Sequence, residues 1–149
     1  MARDLDGWLG ANAIYPGLPA CLRAVRAGGH AYIVTTKQAR FTAALLRDAA
    51  GVPFEDDRIF SQTTSGAPKS DVLRDLAARH PCARSAHFVE DKLSTLEKVA
   101  SLPEFDAWDL VLVDWGYNTP AERARAAAGG RVRVVGVDGL RALTGAGDT

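Results

Sequence analysis

Four short, mostly apolar strand-like segments constrain this chain most: Ala31–Thr35, Ala86–Val89, Leu110–Val113 and Val132–Val137. Each is too short for a typical helix and rich in the β-branched and aromatic residues that suit strands. Between them lie segments with helical spacing. They are Leu18–Ala27, ended by Gly28-Gly29, then Ala39–Ala50, closed by Gly51, and Lys69–Arg79, with Pro81 just beyond. Thr95–Ala100, Ala121–Ala128 behind Pro120, and Gly139–Leu143 follow, and Arg58–Ser61 reads as one further short strand. Parallel strands need a crossover, and crossover helices cover the sheet. The expected fold is therefore α/β, a parallel sheet with helices on both faces, its strands at Ala31–Thr35 and Ala86–Val89 buried.

Composition narrows the function classes. At 149 residues the chain has the length of one domain, and 47% apolar with 24% charged residues is ordinary for a folded protein. Lys plus Arg and Asp plus Glu both number 18. The resulting zero net charge argues against a nucleic-acid partner, whose phosphates demand excess cations. No apolar run approaches the roughly 20 residues that span a bilayer, so no membrane partner is expected. Cys21 and Cys82 are far apart and accompanied only by His30, His80 and His87, a poor set for zinc. Both thiols are expected inside, and His87 within its strand. Arg123, Arg125, Arg131 and Arg133 read as a solvated face. Met1-Ala2-Arg3-Asp4 carries no secretory signal, which fits a cytoplasmic protein, with an organelle left open if a targeting peptide is missing.

Ligands of open α/β sheets bind beyond the carboxyl ends of the strands. Thr35, Thr36 and Lys37 follow the first run, Glu90 and Asp91 the second, and Asp114 and Trp115 the third, while Lys69 opens a helix between the first two. Hydroxyls and helix N–H groups suit phosphoryl oxygens, lysine neutralises their charge, and paired carboxylates suit magnesium. Each residue also has a purely structural reading. Thr35-Thr36 and Glu90-Asp91 would cap the helices that follow them, Lys69 would be solvated, and Asp114-Trp115 would shield the rim by packing.

The series Ile33-Val34-Thr35-Thr36-Lys37, Pro68-Lys69 and Phe88-Val89-Glu90-Asp91 resembles motifs two, three and four of the haloacid dehalogenase-like hydrolase superfamily. Tyr15-Pro16-Gly17 and Asp114-Trp115-Gly116-Tyr117 resemble its phosphoglycolate-phosphatase-like branch. The resemblance spans about residues 14–143. It implies a Rossmann-like core at 14–144; Gly145-Ala146-Gly147 reads separately as a flexible tail at 145–149. The resemblance also implies a magnesium-dependent phosphomonoester hydrolase acting on a small phosphorylated metabolite through an aspartyl-phosphate intermediate. Thr35 then holds a phosphoryl oxygen and Lys69 steadies nucleophile and phosphoryl group, with Thr36 and Lys37 on the substrate. Asp91 binds Mg2+, beside Glu90. Thr95 stands where the family commonly has a further acid.

Motif one is the departure. Asp4-Leu5-Asp6-Gly7-Trp8 matches the family's DxDG, which would make Asp4 the nucleophile and Asp6 a metal ligand. Only three residues precede it, fewer than a strand needs. In the alternative reading, residues 1–13 are a remnant or a return from a cap, and the central first strand is missing. The chain is then an inactive truncated fragment or a phosphate- and metal-binding module. Its exposed sheet edges would invite self-association. A receiver domain uses similar residues but places its acids before Thr and Lys, the reverse of the order here.

Overall fold

A computed structural model describes residues 18–28, 31–35, 38–61, 68–81 and 85–145. The chain divides into two compact units, one formed by residues 1–74 with 141–149 and the other by Asp75–Leu140. The α/β expectation holds for the described residues: all strand pairings are parallel and helices intervene in sequence. The strands fall into two sheets, β1–β2 and β3–β4–β5.

In the first unit, α1 (Leu18–Gly28) precedes β1 (Ile33–Thr35), which pairs with β2 (Ile59–Ser61) through the register Ile33–Ile59 and Thr35–Ser61. Between them, α2 (Ala39–Ala44) passes into one wider turn, Leu45–Ala49, closed by Ala50 N–H donating to Leu45 O at 3.1 Å. The periodicity of Ala39–Ala50 had predicted one continuous helix. Leu46, Ala50, Val52, Phe54 and Ile59 make the core, with Leu22, Ala31, Ile33 and Ala43 packed against it. All three residues of β1 are half-buried rather than buried. A strand with one paired neighbour among the described strands has less of its surface covered. The helix α3 (Lys69–Arg79) matches its predicted bounds.

The second unit holds the larger sheet. Its strands are β3 (His87–Glu90), β4 (Asp109–Val113) and β5 (Val132–Val135), ordered β3–β4–β5. In β4, Leu110, Val111 and Leu112 are fully buried, as a central parallel strand requires. The helix α4 (Leu93–Ala100) lays Leu93, Leu96 and Val99 against this sheet. Burying one such leucine contributes about 1.5–3 kcal/mol. α5 (Pro120–Gly129) and α6 (Val137–Thr144) complete the described helices.

Three expectations need correction here. β3 buries Phe88 but exposes His87 and Val89, so it is covered on one face only. His87 is not interior: its side chain is 40% exposed and its Nδ1 lies 2.9 Å from Asp109 Oδ2, where Arg133 Nη2 also donates. The arginine stretch is not simply a solvated face. Arg125 pairs with Glu97 at the surface, but Arg131 is half-buried and donates to Phe105 O at 2.7 Å and Trp108 O at 2.9 Å. A guanidinium has five donors and adds to the Phe105 carbonyl, which also accepts from Trp108 N–H at 3.0 Å, while serving that of Trp108. Cys21 is buried as a free thiol, while Cys82 lies outside the described residues. Among the described residues, no helix is long and apolar enough to cross a membrane.

Candidate functional site

The residues expected to carry chemistry fall in both units. Thr35 is the last residue of β1, half-buried and in register with Ser61. Lys69 is the first residue of α3 and half-buried. Glu90 ends β3 and Asp91 follows it, in the second unit. Asp4, Asp6, Thr36 and Lys37 lie outside the described residues, as do Tyr15-Pro16-Gly17, residues 1–13 and the tail beyond Gly145.

Two structural readings of these residues do not hold. The N-cap of α2 is Gln38, with no side-chain cap hydrogen bond, so Thr35 does not cap that helix. The N-cap of α4 is Lys92, again without a side-chain cap, so neither Glu90 nor Asp91 does so. Glu90 turns back instead, its Oε1 accepting from Asp91 N–H at 3.1 Å.

Around Asp91 the second unit builds a defined corner. β4 ends at Val113, and the chain continues through Asp114-Trp115-Gly116-Tyr117-Asn118 into α5. Gly116 has φ +81°, and a Cβ there would stand 2.8 Å from Asp91 Cβ and 3.0 Å from Asp91 Cγ, overlapping Asp91 Oδ2 more severely still. Both facts require glycine: its left-handed backbone is strained for other residues, and its missing side chain is the space that Asp91 fills. Tyr117 N–H donates to Asp91 Oδ2 at 3.1 Å. Asn118 Nδ2 donates to Asp91 O at 2.8 Å, Val113 O at 2.9 Å and Trp115 O at 2.8 Å. Arg123 Nη1 donates to Asn118 Oδ1 at 2.6 Å. With acceptors around one end of the amide and a donor at the other, its orientation is determined.

The start of α5 is equally fixed. Thr119 Oγ1 accepts from Glu122 N–H at 3.1 Å while Thr119 N–H donates to Glu122 Oε1 at 3.0 Å, with Pro120 at the first helical position. This reciprocal cap satisfies two backbone donors and sets where the helix begins. Its Thr-x-x-Glu pattern was available in the sequence; the bonds of Asn118 and Arg123 were not, because they depend on tertiary neighbours.

Asp114 is exposed beside β5, where a Cβ on Gly136 would meet its Oδ2 at 3.0 Å. Its backbone N–H extends the ladder to Val135 O at 2.9 Å. Among the described residues, neither the Asp114 carboxylate nor Asp91 Oδ1 accepts a hydrogen bond. Tyr117, three residues after Asp114, is 83% exposed. Two carboxylates thus follow two adjacent parallel strands, one gripped by a backbone N–H. Among the described residues, no three His, Cys, Asp or Glu side chains converge as a metal cluster. Comparison with protein-family models, curated proteins and solved structures returns no match.

Proposed function

We propose that this chain is a magnesium-dependent phosphomonoester hydrolase of the haloacid dehalogenase-like kind, with a Rossmann-like core. The observation that carries the reading is the corner at Asp91, at the carboxyl end of β3. One oxygen is held by Tyr117 N–H, and the other accepts no hydrogen bond among the described residues. The donors fit the cation. Magnesium prefers hard oxygen, keeps several waters and needs only one or two protein carboxylates. Asp91 would hold it, with Glu90 beside it in sequence and Asp6 a further candidate from the sequence. When bound, the cation would neutralise charge on the transferring phosphoryl group.

The chain's own residues divide the remaining work. The Thr35 hydroxyl donates to a phosphoryl oxygen, and the Lys69 ammonium offsets charge that grows as the ester bond breaks. Asp4 is the nucleophile this reading assigns. Its carboxylate attacks phosphorus as the P–O ester bond breaks, and the departing ester oxygen takes a proton from water. Water then opens the acyl phosphate, returning the carboxylate and inorganic phosphate. Thr36 and Lys37 would contact a small phosphorylated metabolite.

The second reading is a binding module, in which the same residues would bind magnesium and phosphate without turning over. Release of p-nitrophenolate from p-nitrophenyl phosphate separates the readings. The first expects release that needs Mg2+ and stops with EDTA. Release indifferent to EDTA contradicts it, and magnesium binding without release supports the second.

A further inference from the structure

We propose that Asn118 and Arg123 are positioning residues that fix the Asp91 carboxylate for its cation, an inference that rests on the reading of Asp91 as a magnesium ligand. The geometry forms a chain of contacts. Arg123 Nη1 donates to Asn118 Oδ1 at 2.6 Å and, at 3.4 Å, to Asn118 O. Asn118 Nδ2 then joins three carbonyls, from the turn after β3, the end of β4 and the loop itself. One side chain thereby ties the backbone of Asp91 to the loop whose next N–H, that of Tyr117, grips Asp91 Oδ2.

Two details favour positioning over simple loop stabilisation. Asn118 bonds the main chain of Asp91 directly, 27 residues away in sequence, rather than only its own turn. Asn118 and Arg123 are both half-buried, so their bonds are shielded more than those of the exposed ion pairs nearby. Without the amide, whose two N–H hydrogens are shared among three carbonyls, the loop no longer holds Tyr117 N–H against Asp91. A ligand whose supporting hydrogen bonds are removed typically loses about 10–100-fold in metal affinity.

The test uses the whole chain and Mg2+ alone. Amide resonances of Gly116 and Tyr117 are followed through a magnesium titration, and hydrogen exchange of the Tyr117 amide is measured without metal. Asn118→Ala is expected to lower Tyr117 protection at least tenfold and weaken the magnesium midpoint by about 10–100-fold. Amide protection of Ala126, inside α5, should stay as in the wild type, which general loosening would not allow. Arg123→Gln, which leaves the Asn118 amide in place, should give the same pattern more weakly, and it serves if Asn118→Ala fails to fold. Arg123→Lys should recover part of the loss, since it keeps a charged donor of similar reach where glutamine is shorter and neutral. Wild-type Tyr117 protection and magnesium midpoint in a folded Asn118→Ala or Arg123→Gln variant would overturn the proposal. Loss of protection in a protein whose wild-type resonances ignore magnesium would support the positioning role and contradict the cation reading instead.

Discussion

Asp91→Asn and Lys69→Ala should each lower magnesium-dependent hydrolysis of p-nitrophenyl phosphate by about 10²–10³-fold, the usual loss when one preorganised charge is removed from an acyl- or phosphoryl-transfer site. Both proteins should fold. Asp91 lies in a turn beyond β3, outside the apolar core, and asparagine preserves its shape. Lys69 is the first residue of α3, outside the apolar core, and alanine is a good helix former there. Steady-state kinetics beside thermal melts would separate the two effects. Turnover that survives both substitutions would remove these residues from the chemistry.

Gly116→Ala is expected to do comparable damage from a residue with no chemistry of its own. The new Cβ would need the space that the Asp91 carboxylate occupies, at 2.8 Å from Asp91 Cβ. It would also sit on a backbone at φ +81°, which costs a non-glycine residue about 1–2 kcal/mol. Either Asp91 rotates away from Tyr117 N–H or the loop shifts, and both spoil the corner. The expected result is a melting temperature lowered by a few degrees, about the effect of 1–2 kcal/mol in a chain of this size, with magnesium-dependent turnover falling toward that of Asp91→Asn. Gly129→Ala is the matched control. A Cβ there meets nothing within 4 Å, and it should leave turnover unchanged. Gly116→Ala with full activity would mean that the Asp91 geometry is irrelevant to function.

Local pattern carried much of the fold. The run Leu110–Val113 has no polar interruption and became the buried central strand, and Lys69–Arg79 has helical spacing with a proline on either side. Exposure was less legible. Phe88 and Val89 look alike in sequence, yet only Phe88 is buried, because which face of a strand is covered depends on what packs there. The same limit applies at the site. Strand-end position singled out Glu90, Asp91 and Asp114, since sheet topology alone puts loop residues there. Asn118 escaped notice, and Arg123 was read as part of a solvated face although it is half-buried on Asn118 Oδ1, because an amide among three carbonyls is a property of folded neighbours, not of spacing. The wider turn at Leu45–Ala49 was equally hidden within a segment of good helix formers.

The central claim is that the corner at Asp91 is a cation site. Mn2+, a paramagnetic stand-in for magnesium, would test it most directly by broadening nearby amide resonances of the intact chain. Broadening should centre on Asp91, Gly116 and Tyr117, be displaced by excess Mg2+, and vanish in Asp91→Asn. Broadening centred elsewhere, or unaltered by Asp91→Asn, would contradict it.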